Sequence, residues 1–403
     1  MEVVSGGVCA AKGFLASGIH CGIRKNKTKE DLALIYSEKR CAAASVYTQN
    51  LVKGAPLIVT EKNIADGYAK AIICNSGNAN TCNSDGVFKS ELMCEFTANA
   101  LNISPFDVIV ASTGVIGQKL NIEPIKNGVP ILVQNLSTDG TPAAKAIMTT
   151  DLKVKEYAVS FTLGGKKCSL GGIAKGSGMI HPNMATMLCF ITTDVSISPK
   201  MLKKALSFDA ENSFNMISVD GDTSTNDMVS ILANGLAGNT EIVCEGEDFD
   251  KFRSALGKVT NQLCKMIASD GEGATKLLEC TVSNAHLLSD ARLVSKAIIC
   301  SSLVKAAMFG EDANWGRILC AAGYAGANID VTKIDVCFKS AKGEIMVCKN
   351  GSGIDFSEVL AKDILRKDEI QILVNLNSGN HSATAYGCDL TYDYVKINGD
   401  YRT

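Results

Sequence analysis

A threonine near the middle of the chain is the residue best suited to covalent chemistry. Thr186 follows the small Ala185 in a glycine-rich run that leads into the apolar residues 187–191. A threonine hydroxyl is a weak nucleophile, and cleavage before the threonine would supply an adjacent base, a free α-amine with a pKa of about 8. The hydroxyl can first attack the carbonyl of Ala185 in an N→O acyl shift that ends in hydrolysis. The pattern taken alone favours an ordinary strand start at this position.

Several other segments could surround such a nucleophile. Residues 112–117 place hydroxyls and glycines after a predicted buried strand, which can aim backbone N–H groups at a developing oxyanion, although a plain turn fits the pattern better. The polar residues 75–80 predict either a tight loop or a wall beside a polar substrate. Glu272 lies between two glycines after a long predicted helix, where it caps the helix or meets an amine. The aspartates of residues 220–227 favour capping and turn chemistry over a cation site.

The sequence lacks the usual metal, cofactor and hydrolase motifs. Its 4 histidines and 16 cysteines show no H-E-x-x-H, H-x-x-x-H or C-x-x-C spacing. No G-x-S-x-G or G-x-G-x-x-G run occurs, and Lys175 is followed by glycine instead of the Ser or Thr of a phosphate-binding loop. We therefore expect neither a metal nor a bound cofactor.

The composition is that of a globular chain longer than one ordinary core. With 403 residues and 46% hydrophobic content, the chain can fill two domains or one large layered domain. A formal net charge of -2 gives no reason to expect nucleic acid or an acidic membrane as a partner. The cysteines spread from Cys9 to Cys388 with no secretory segment before them, and no apolar run is long enough to span a membrane. We expect reduced thiols and a cytoplasmic protein.

Hydrophobic patterning predicts strands and helices throughout the chain. Helices are predicted over residues 86–101, 142–148, 199–212 and 249–268. Strands are predicted over residues 32–36, 44–47, 71–74, 107–111, 157–163, 189–193, 216–219, 334–338, 344–348, 369–376 and 381–390. Residues 398–403 predict a turn and a frayed tail.

Six motifs, in family order, resemble the ornithine acetyltransferase family, also called glutamate N-acetyltransferases. The most specific is the run K-G-S-G-M-I-H-P-N-M-A-T-M-L at residues 175–188, which is similar to the family's cleavage-site signature. The others lie at residues 75–80, 112–117, 148–151, 310–317 and 398–403. Because the motifs extend over essentially the whole chain, the chain is identified as a member of this family.

The resemblance implies a precursor that cuts itself between Ala185 and Thr186. The resulting chains, residues 1–185 and 186–403, would stay together as an α2β2 assembly. The implied fold is α+β, a layered αββα sandwich resembling N-terminal nucleophile enzymes, with a smaller C-terminal α/β domain. We place the main domain at residues 1–285 and the smaller one, whose tail returns to the active site, at residues 286–403.

The resemblance also implies a reaction and the residues that serve it. Thr186 would take an acetyl group from N-acetylornithine and pass it to glutamate, a ping-pong transfer through an acetyl-threonine ester. Thr113 and Gly114 are the implied oxyanion-hole pair, and Glu272 would pair with the side-chain ammonium of ornithine. The implied substrate contacts are Thr149 or Thr150, with Thr149 preferred, Lys175, Thr186, Glu272, Asn398 and Thr403. No cofactor is implied, and whether acetyl-CoA is a further acetyl donor stays open.

Two other functions stay open at the level of the sequence. A self-cleaving amidase or aminopeptidase of related architecture would pass the acyl group to water instead of glutamate. An uncut glycine-rich protein would bind an amino acid without catalysis.

Overall fold

The structure is a computed structural model that describes residues 1–181 and 187–399. The strands in these residues are β1 Glu2–Val4, β2 Phe14–Ile19, β3 Leu32–Tyr47, β4 Tyr68–Asn78, β5 Val108–Val115, β6 Lys155–Leu163, β7 Lys166–Lys175, β8 Leu188–Thr193, β9 Ile217–Ser218, β10 Met228–Ala233, β11 Leu277–Ala285, β12 Asp335–Ser340, β13 Gly343–Lys349, β14 Ser352–Gly353, β15 Glu369–Asn375 and β16 His381–Cys388. The helices are α1 Ala55–Asn63, α2 Gly86–Leu101, α3 Glu123–Gln134, α4 Thr141–Ala146, α5 Pro199–Asn212, α6 Glu247–Ser269, α7 Leu288–Cys300, α8 Ser302–Phe309, α9 Trp315–Gly323, α10 Glu358–Leu365 and α11 Tyr392–Asn398.

Nine of the described strands form one sheet that folds over on itself at β3. The sheet order is β1-β6-β7-β8-β10-β3-β4-β5, with β2 also beside β3. The first half of β3 pairs with β2 and β4, and its second half pairs with β10. Ala33 and Ile35 of the first half share a buried core with Phe190 of β8 and Leu232 of β10. The sheet therefore makes two β layers whose facing side chains form one core.

Helices cover the outer face of each β layer. On one side, Leu34 and Ile73 share a core with Met93 of α2 and Val129 of α3. On the other side, residues of β8 and β10 share a core with α5 and α6. Each β layer is buried on both faces. The apolar side chains of its strands therefore alternate between the core that the two layers share and the core under the covering helices. The predicted αββα sandwich is confirmed.

The remaining seven strands form a second sheet, ordered β14-β13-β12-β15-β11-β16-β9 within the described residues. Its core is shared with α7, α8, α9 and α10. β9 and β11 join this sheet although they precede residue 286 in the chain. The boundary after residue 285 stays a prediction, and it falls between β11 and α7.

The predicted bounds of two helices are confirmed. Two strands that were predicted as separate form a single strand. Helices α2 and α5 have the expected bounds. The strands expected at residues 32–36 and 44–47 join into β3, because the charged and exposed residues 38–40 lie at an irregularity in the pairing with β4 rather than at a break in the chain. A bulge of this kind bends a strand without ending it.

The loop that was one alternative for residues 75–80 is a strand over residues 75–78, and the tail predicted at residues 398–403 lies mostly outside the described residues. Residues 75–78 continue β4, because the polar side chains of Asn75 and Ser76 find hydrogen-bond partners inside the protein. The predicted tail begins at Asn398, which is the last residue of α11. Thr391 caps that helix by accepting a hydrogen bond from the amide of Tyr394.

None of the helices in the described part of the chain is long and apolar enough to cross a bilayer.

Candidate active site

Two neighbouring parallel strands, β4 and β5, leave no room for a side chain at Gly114, near their carboxyl ends. Gly114 has a φ of +131°, and a Cβ at this position would lie 2.4 Å from the carbonyl carbon of Gly77 and 2.6 Å from the nitrogen of Asn78. Only glycine fits such a φ beside a neighbouring backbone. Thr113, just before it, is buried. The predicted oxyanion pair therefore lies at a rigid strand end.

Buried amide side chains hold this strand end in place. Ser112 donates to Asn75 Oδ1 at 2.6 Å, and Asn75 Nδ2 donates to the carbonyl of Asn78 at 2.9 Å. Asn226 Nδ2, from a distant loop, donates to the carbonyls of Ala79 and Ser112 at 2.6 and 3.0 Å. Because each of these buried polar groups is paired, the framework is stable enough to fix the backbone geometry of residues 113 and 114.

A small cavity of about 20 Å³ lies beside this strand end. Thr113, the buried Lys175 at the end of β7, and Asp227 line it. Met187, the residue that follows Thr186 in the sequence, lines it as well. The cavity has room for about one water molecule. It brings the predicted Thr113 and Lys175 together next to the predicted cleavage position.

A buried charge network lies behind Lys175. The ammonium of Lys155, which is fully buried, contacts Asp151 Oδ1 at 2.7 Å and Asp270 Oδ2 at 2.6 Å. Burial raises the pKa of Asp151, but the ammonium groups of Lys175 and Lys155 outweigh it and hold that pKa well below its ordinary value. Asp151 is therefore a carboxylate at neutral pH.

The same network positions three predicted substrate contacts. Asp151 accepts hydrogen bonds from the amides of Thr149 and Gly176, at 2.9 and 2.7 Å, and Gly176 directly follows Lys175. The Ser177 hydroxyl donates to the carbonyl of Asp270 at 2.6 Å, and the amide of Glu272 donates to the carbonyl of Ser177 at 2.9 Å. Thr149, Lys175 and Glu272 are thus joined through the shared partners Asp151 and Asp270.

Glu272 and Asn398 are in direct contact. Asn398 Nδ2 donates to Glu272 Oε2 at 2.8 Å. The Glu272 carboxylate packs so tightly on Gly178 that a Cβ there would lie 2.3 Å from Oε2, and Gly178 lines the small cavity. Helix α11 reaches this place because its amino-terminal turn rests on Gly273, whose φ is +69°.

Asp220 holds the segment that leads into the predicted junction. Its carboxylate accepts hydrogen bonds from the amides of Met179 and Ile180 at 2.6 and 2.9 Å. The hydroxyl of Tyr394 on α11 lies 3.3 Å from the same carboxylate. Asp220 therefore binds backbone amides, as expected for the aspartates of residues 220–227.

A larger cavity of about 580 Å³ is lined in part by Gly114. Thr149 and Thr150, both half-buried, line it together with Gly114. Arg24, Lys25 and Lys29 form a basic wall, and the guanidinium of Arg24 donates to the carbonyl of Met148. Thr113 lines the small cavity and Gly114 lines the larger one, so the strand end contributes to both.

The described site residues expected from the sequence lie in one region. They are Thr113, Gly114, Thr149, Thr150, Lys175, Glu272 and Asn398. Ala185, Thr186 and Thr403 lie outside the described residues. Within the described residues, no group of three or more His, Cys, Asp or Glu side chains is arranged to hold a metal ion.

Sequence reasoning missed Asp151, Lys155, Asp270, Asn226 and Asp227. Asp151 belongs to the motif at residues 148–151, and its spacing of four residues from Lys155 could have indicated an ion pair between them. Asp270 is 115 residues from Lys155 in the chain, and no sequence pattern joins them.

Comparison with known proteins identifies the relatives of this chain. The ArgJ family model matches residues 15–403. The arginine biosynthesis bifunctional protein ArgJ of Caldanaerobacter subterraneus subsp. tengcongensis is 51% identical over 405 residues, with all of both chains covered. The protein of the same name from Thermotoga neapolitana is 50% identical, covering 97% of this chain and 99% of its own.

A solved structure is similar as well. The arginine biosynthesis bifunctional protein argJ of Bacillus halodurans has 46% sequence identity and a TM-score of 0.50, and the match covers 53% of this chain and 98% of the solved one. Family model, full-length relatives and solved structure agree, and the chain belongs to the ArgJ family.

Proposed function

We propose that this protein transfers an acetyl group from N-acetylornithine to glutamate, after cutting its own chain between Ala185 and Thr186. The observation that carries the proposal is the small cavity, where the strand end at Thr113, the ammonium of Lys175 and the residue after Thr186 meet. Membership of the ArgJ family, whose relatives are named for arginine biosynthesis, supports the same reaction. The protein is an acetyltransferase.

The geometry fits acyl transfer through a threonine ester. In the proposed mechanism, Thr186 Oγ attacks the acetyl carbonyl, and backbone groups of Thr113 and Gly114 stabilise the oxyanion. The buried Lys175 ammonium adds a positive charge that acts strongly because water is largely excluded from the cavity. Ornithine leaves, and the amine of glutamate attacks the ester to release N-acetylglutamate. Thr186 is then free for another cycle.

Substrate binding is assigned to the residues joined by the charge network. Glu272, oriented by Asn398, would pair with the side-chain ammonium of ornithine. Thr149, held by Asp151, would donate or accept a hydrogen bond at the edge of the larger cavity. We keep Thr403 as a further substrate contact on the strength of the sequence motif alone.

The length of the solved relative supports a cut near Thr186. The Bacillus halodurans chain is matched over 98% of its length but covers 53% of this chain. Residues 186–403 are 218 of 403 residues, or 54%. A polypeptide of this length is the expected product of cleavage before Thr186. We propose that two copies of each product form an α2β2 assembly.

We also propose a cytoplasmic location. All sixteen cysteines are free thiols, and many of them are buried within the described cores. Free thiols in this number suit a reducing compartment.

The transfer is tested by incubating the purified protein with N-acetylornithine, with and without glutamate. We expect ornithine release to depend on glutamate and to match the N-acetylglutamate formed. A denaturing gel should show two bands of about half of 42.6 kDa each. Thr186→Ala should show neither cleavage nor transfer, and Thr186→Ser should retain part of both because the hydroxyl persists.

Three results would contradict the proposal. Ornithine release that ignores glutamate and yields free acetate would identify the amidase alternative. A single uncut band without turnover would favour the amino-acid-binding alternative. Cleavage that persists in Thr186→Ala would show that another group is the nucleophile.

Acetyl-CoA is proposed as a second acetyl donor. The relatives are named bifunctional, and the larger cavity, at about 580 Å³, has the volume of a pocket for a sizeable ligand. Its wall carries Arg24, Lys25 and Lys29, which suit the phosphates of CoA. Lys25 and Lys29 are exposed and form no ion pair with any described residue. The cavity also reaches Gly114, where the acetyl group must arrive.

Charge reversal separates this donor site from the ornithine site. The double variant Lys25→Glu, Lys29→Glu should raise the KM for acetyl-CoA at least ~10-fold, since two charge-assisted contacts become repulsive. The KM for N-acetylornithine should change far less. The control is Lys166→Glu, Lys167→Glu, exposed on the hairpin about 30 Å along β7 from Lys175. Equal shifts for both donors, or an effect no larger than the control's, would contradict the assignment.

A further inference from the structure

Asp227 is a buried carboxyl group with one oxygen that has no hydrogen-bond partner among the described residues. The residue is 3% exposed, directly precedes β10, and lines the small cavity with Thr113 and Lys175. Its Oδ2 is buried and makes no hydrogen bond to any residue that the structure describes. Buried polar atoms are paired in the great majority of cases, so this oxygen can still accept a hydrogen bond from a group that enters the cavity.

The electrostatics around Asp227 leave room for such a partner. Burial raises the pKa of Asp227 well above its ordinary value, against the smaller lowering effects of hydrogen bonds from Ser224 and of the Lys175 ammonium. Lys175 lines the same cavity but forms no ion pair with Asp227. The other charged groups near the cavity are engaged elsewhere, Glu272 with Asn398 and Asp220 with backbone amides. None of these charged groups pairs with the Asp227 oxygen, which can therefore accept a hydrogen bond from a group that is not one of them.

The strand register places Asp227 beside the reacting part of the chain. β10 runs parallel to β8, with Met228 opposite Leu188. The amide of Met228 donates to the carbonyl of Met187 at 2.9 Å, and Met187 follows Thr186 in the sequence. The carboxyl group thus precedes β10 at the same end of the ladder at which Thr186 precedes β8.

We propose that Asp227 binds an amino group that the acetyl-transfer reaction brings into the small cavity, with the unpartnered oxygen accepting a hydrogen bond from the amine. The inference rests on the proposed function. It adds a polar contact beyond the oxyanion pair, Lys175 and the Glu272 contact. No covalent bond forms or breaks in this contact.

Two amines fit this chemistry. One is the α-amine of Thr186, which cleavage creates, and the other is the α-amine of the substrate, which carries the acetyl group or receives it. Both are absent from an uncut, unliganded chain.

The test replaces Asp227 with the isosteric, uncharged asparagine. Asp227→Asn should cleave as completely as the unchanged protein on a denaturing gel but transfer acetyl to glutamate about 10- to 100-fold more slowly, the effect of losing a hydrogen bond to a charged group. Its thermal midpoint should be equal or higher, because a buried unpaired carboxyl destabilises the fold. Asp222→Asn, an exposed aspartate of the same loop, is the matched control.

The source of the amine is separated with p-nitrophenyl acetate, a donor without a leaving amine. If Asp227 binds the Thr186 amine, the nitrophenol burst slows in Asp227→Asn along with transfer. If Asp227 binds the substrate amine, the burst is unchanged and only transfer slows. Both outcomes support amine binding.

Other outcomes overturn the inference. Transfer equal to that of Asp222→Asn would show that Asp227 takes no part. A lower thermal midpoint would assign Asp227 a structural role, and lost cleavage would place its action before any new amine exists. Failure of the proposed function itself would be visible separately, as absent transfer in the unchanged protein.

Discussion

Two aspartates in the candidate active site, Asp151 and Asp227, are 2% and 3% exposed. Asp151 accepts four different contacts, including the Lys155 ammonium and two backbone amides. Asp227 has one oxygen without a hydrogen-bond partner in the described part of the chain. The pKa of Asp151 lies well below its ordinary value and that of Asp227 well above it. Equal burial therefore accompanies opposite pKa shifts, because the partners of the two carboxyl groups differ.

This difference in hydrogen bonding gives the two aspartates different roles. Asp151 holds the structure of the site, whereas Asp227 can still bind a ligand group. A carboxylate with all its partners in place fixes the backbone around it, as Asp151 does for Thr149 and for the amide after Lys175. A ligand cannot easily replace the partners in such a network, since breaking an ion pair leaves charges buried and unpaired. A carboxyl group without a partner is destabilising until something binds it.

The largest effect is expected from removing the central cation of the paired network. Lys155→Met leaves Asp151 and Asp270 buried without their shared ammonium, and we expect a loss of about 3–5 kcal/mol in the free energy of unfolding. Urea denaturation measures it. Lys251→Met, which removes an exposed pair with Glu247, should leave the midpoint unchanged. A loss no greater than in that control would mean that the network does not hold the site together.

A smaller loss of stability but a large loss of rate is expected at the strand end. Gly114→Ala would push a Cβ into the backbone of Gly77, so the oxyanion pair must shift, and kcat should fall about 100-fold. Gly117→Ala is the control, because Gly117 also has a positive φ but its Cβ would meet open space. Similar kcat values for the two variants would show that backbone strain, not the close strand approach, is what matters.

The two aspartates should also give opposite pH dependences of stability. Asp151, with a lowered pKa, contributes stability that is present above its unfolded pKa of about 3.9 and lost as pH falls below that value. Asp227, with a raised pKa, contributes stability that is present below about 3.9 and lost as pH rises toward its folded pKa.

Asp227→Asn removes the second contribution alone. The stability of this variant relative to the unchanged protein should therefore increase with pH from about 4 upward, measured by urea denaturation at a series of pH values. A difference that does not vary with pH would contradict the raised pKa of Asp227.

The smallest effect is expected at the exposed partner of Glu272. Asn398→Ala removes one hydrogen bond that orients the Glu272 carboxylate, and the KM for N-acetylornithine should rise about 2- to 10-fold with kcat little changed. Lys396→Ala on the same helix is the control. An unchanged KM would show that Glu272 is oriented by its packing on Gly178 alone.

Local structure could be predicted from the sequence where the signal is local. Helix α2 has the predicted bounds, although Phe88, one of the apolar residues four apart that indicated it, is exposed and the buried face carries Met93 and Cys94 instead. Helix α5 begins after Ser198, whose side chain accepts a hydrogen bond from the amide of Met201. The motifs indicated the site residues through family resemblance, and the structure brings the described ones into one region.

The features that the sequence did not predict depend on contacts between segments that are far apart in the chain. The pairing of Asp270 with Lys155 and the bridge from Asn226 to Ser112 join residues more than 100 positions apart. The continuous β3 was hidden by charged residues that suggested a break. Whether Asp227 has a hydrogen-bond partner depends on how segments distant in the sequence pack around it, which no pattern of residue types shows.

The interleaving of strands across the predicted junction has a consequence for refolding. β8 and β10 come from the segment after residue 185, yet they lie between β7 and β3, which come from the segment before it. A cut between Ala185 and Thr186 would leave each product with strands that complete the other's sheet. Folding would be unimolecular before the cut, and recovery from denaturant after it would require two chains to meet and so depend on concentration.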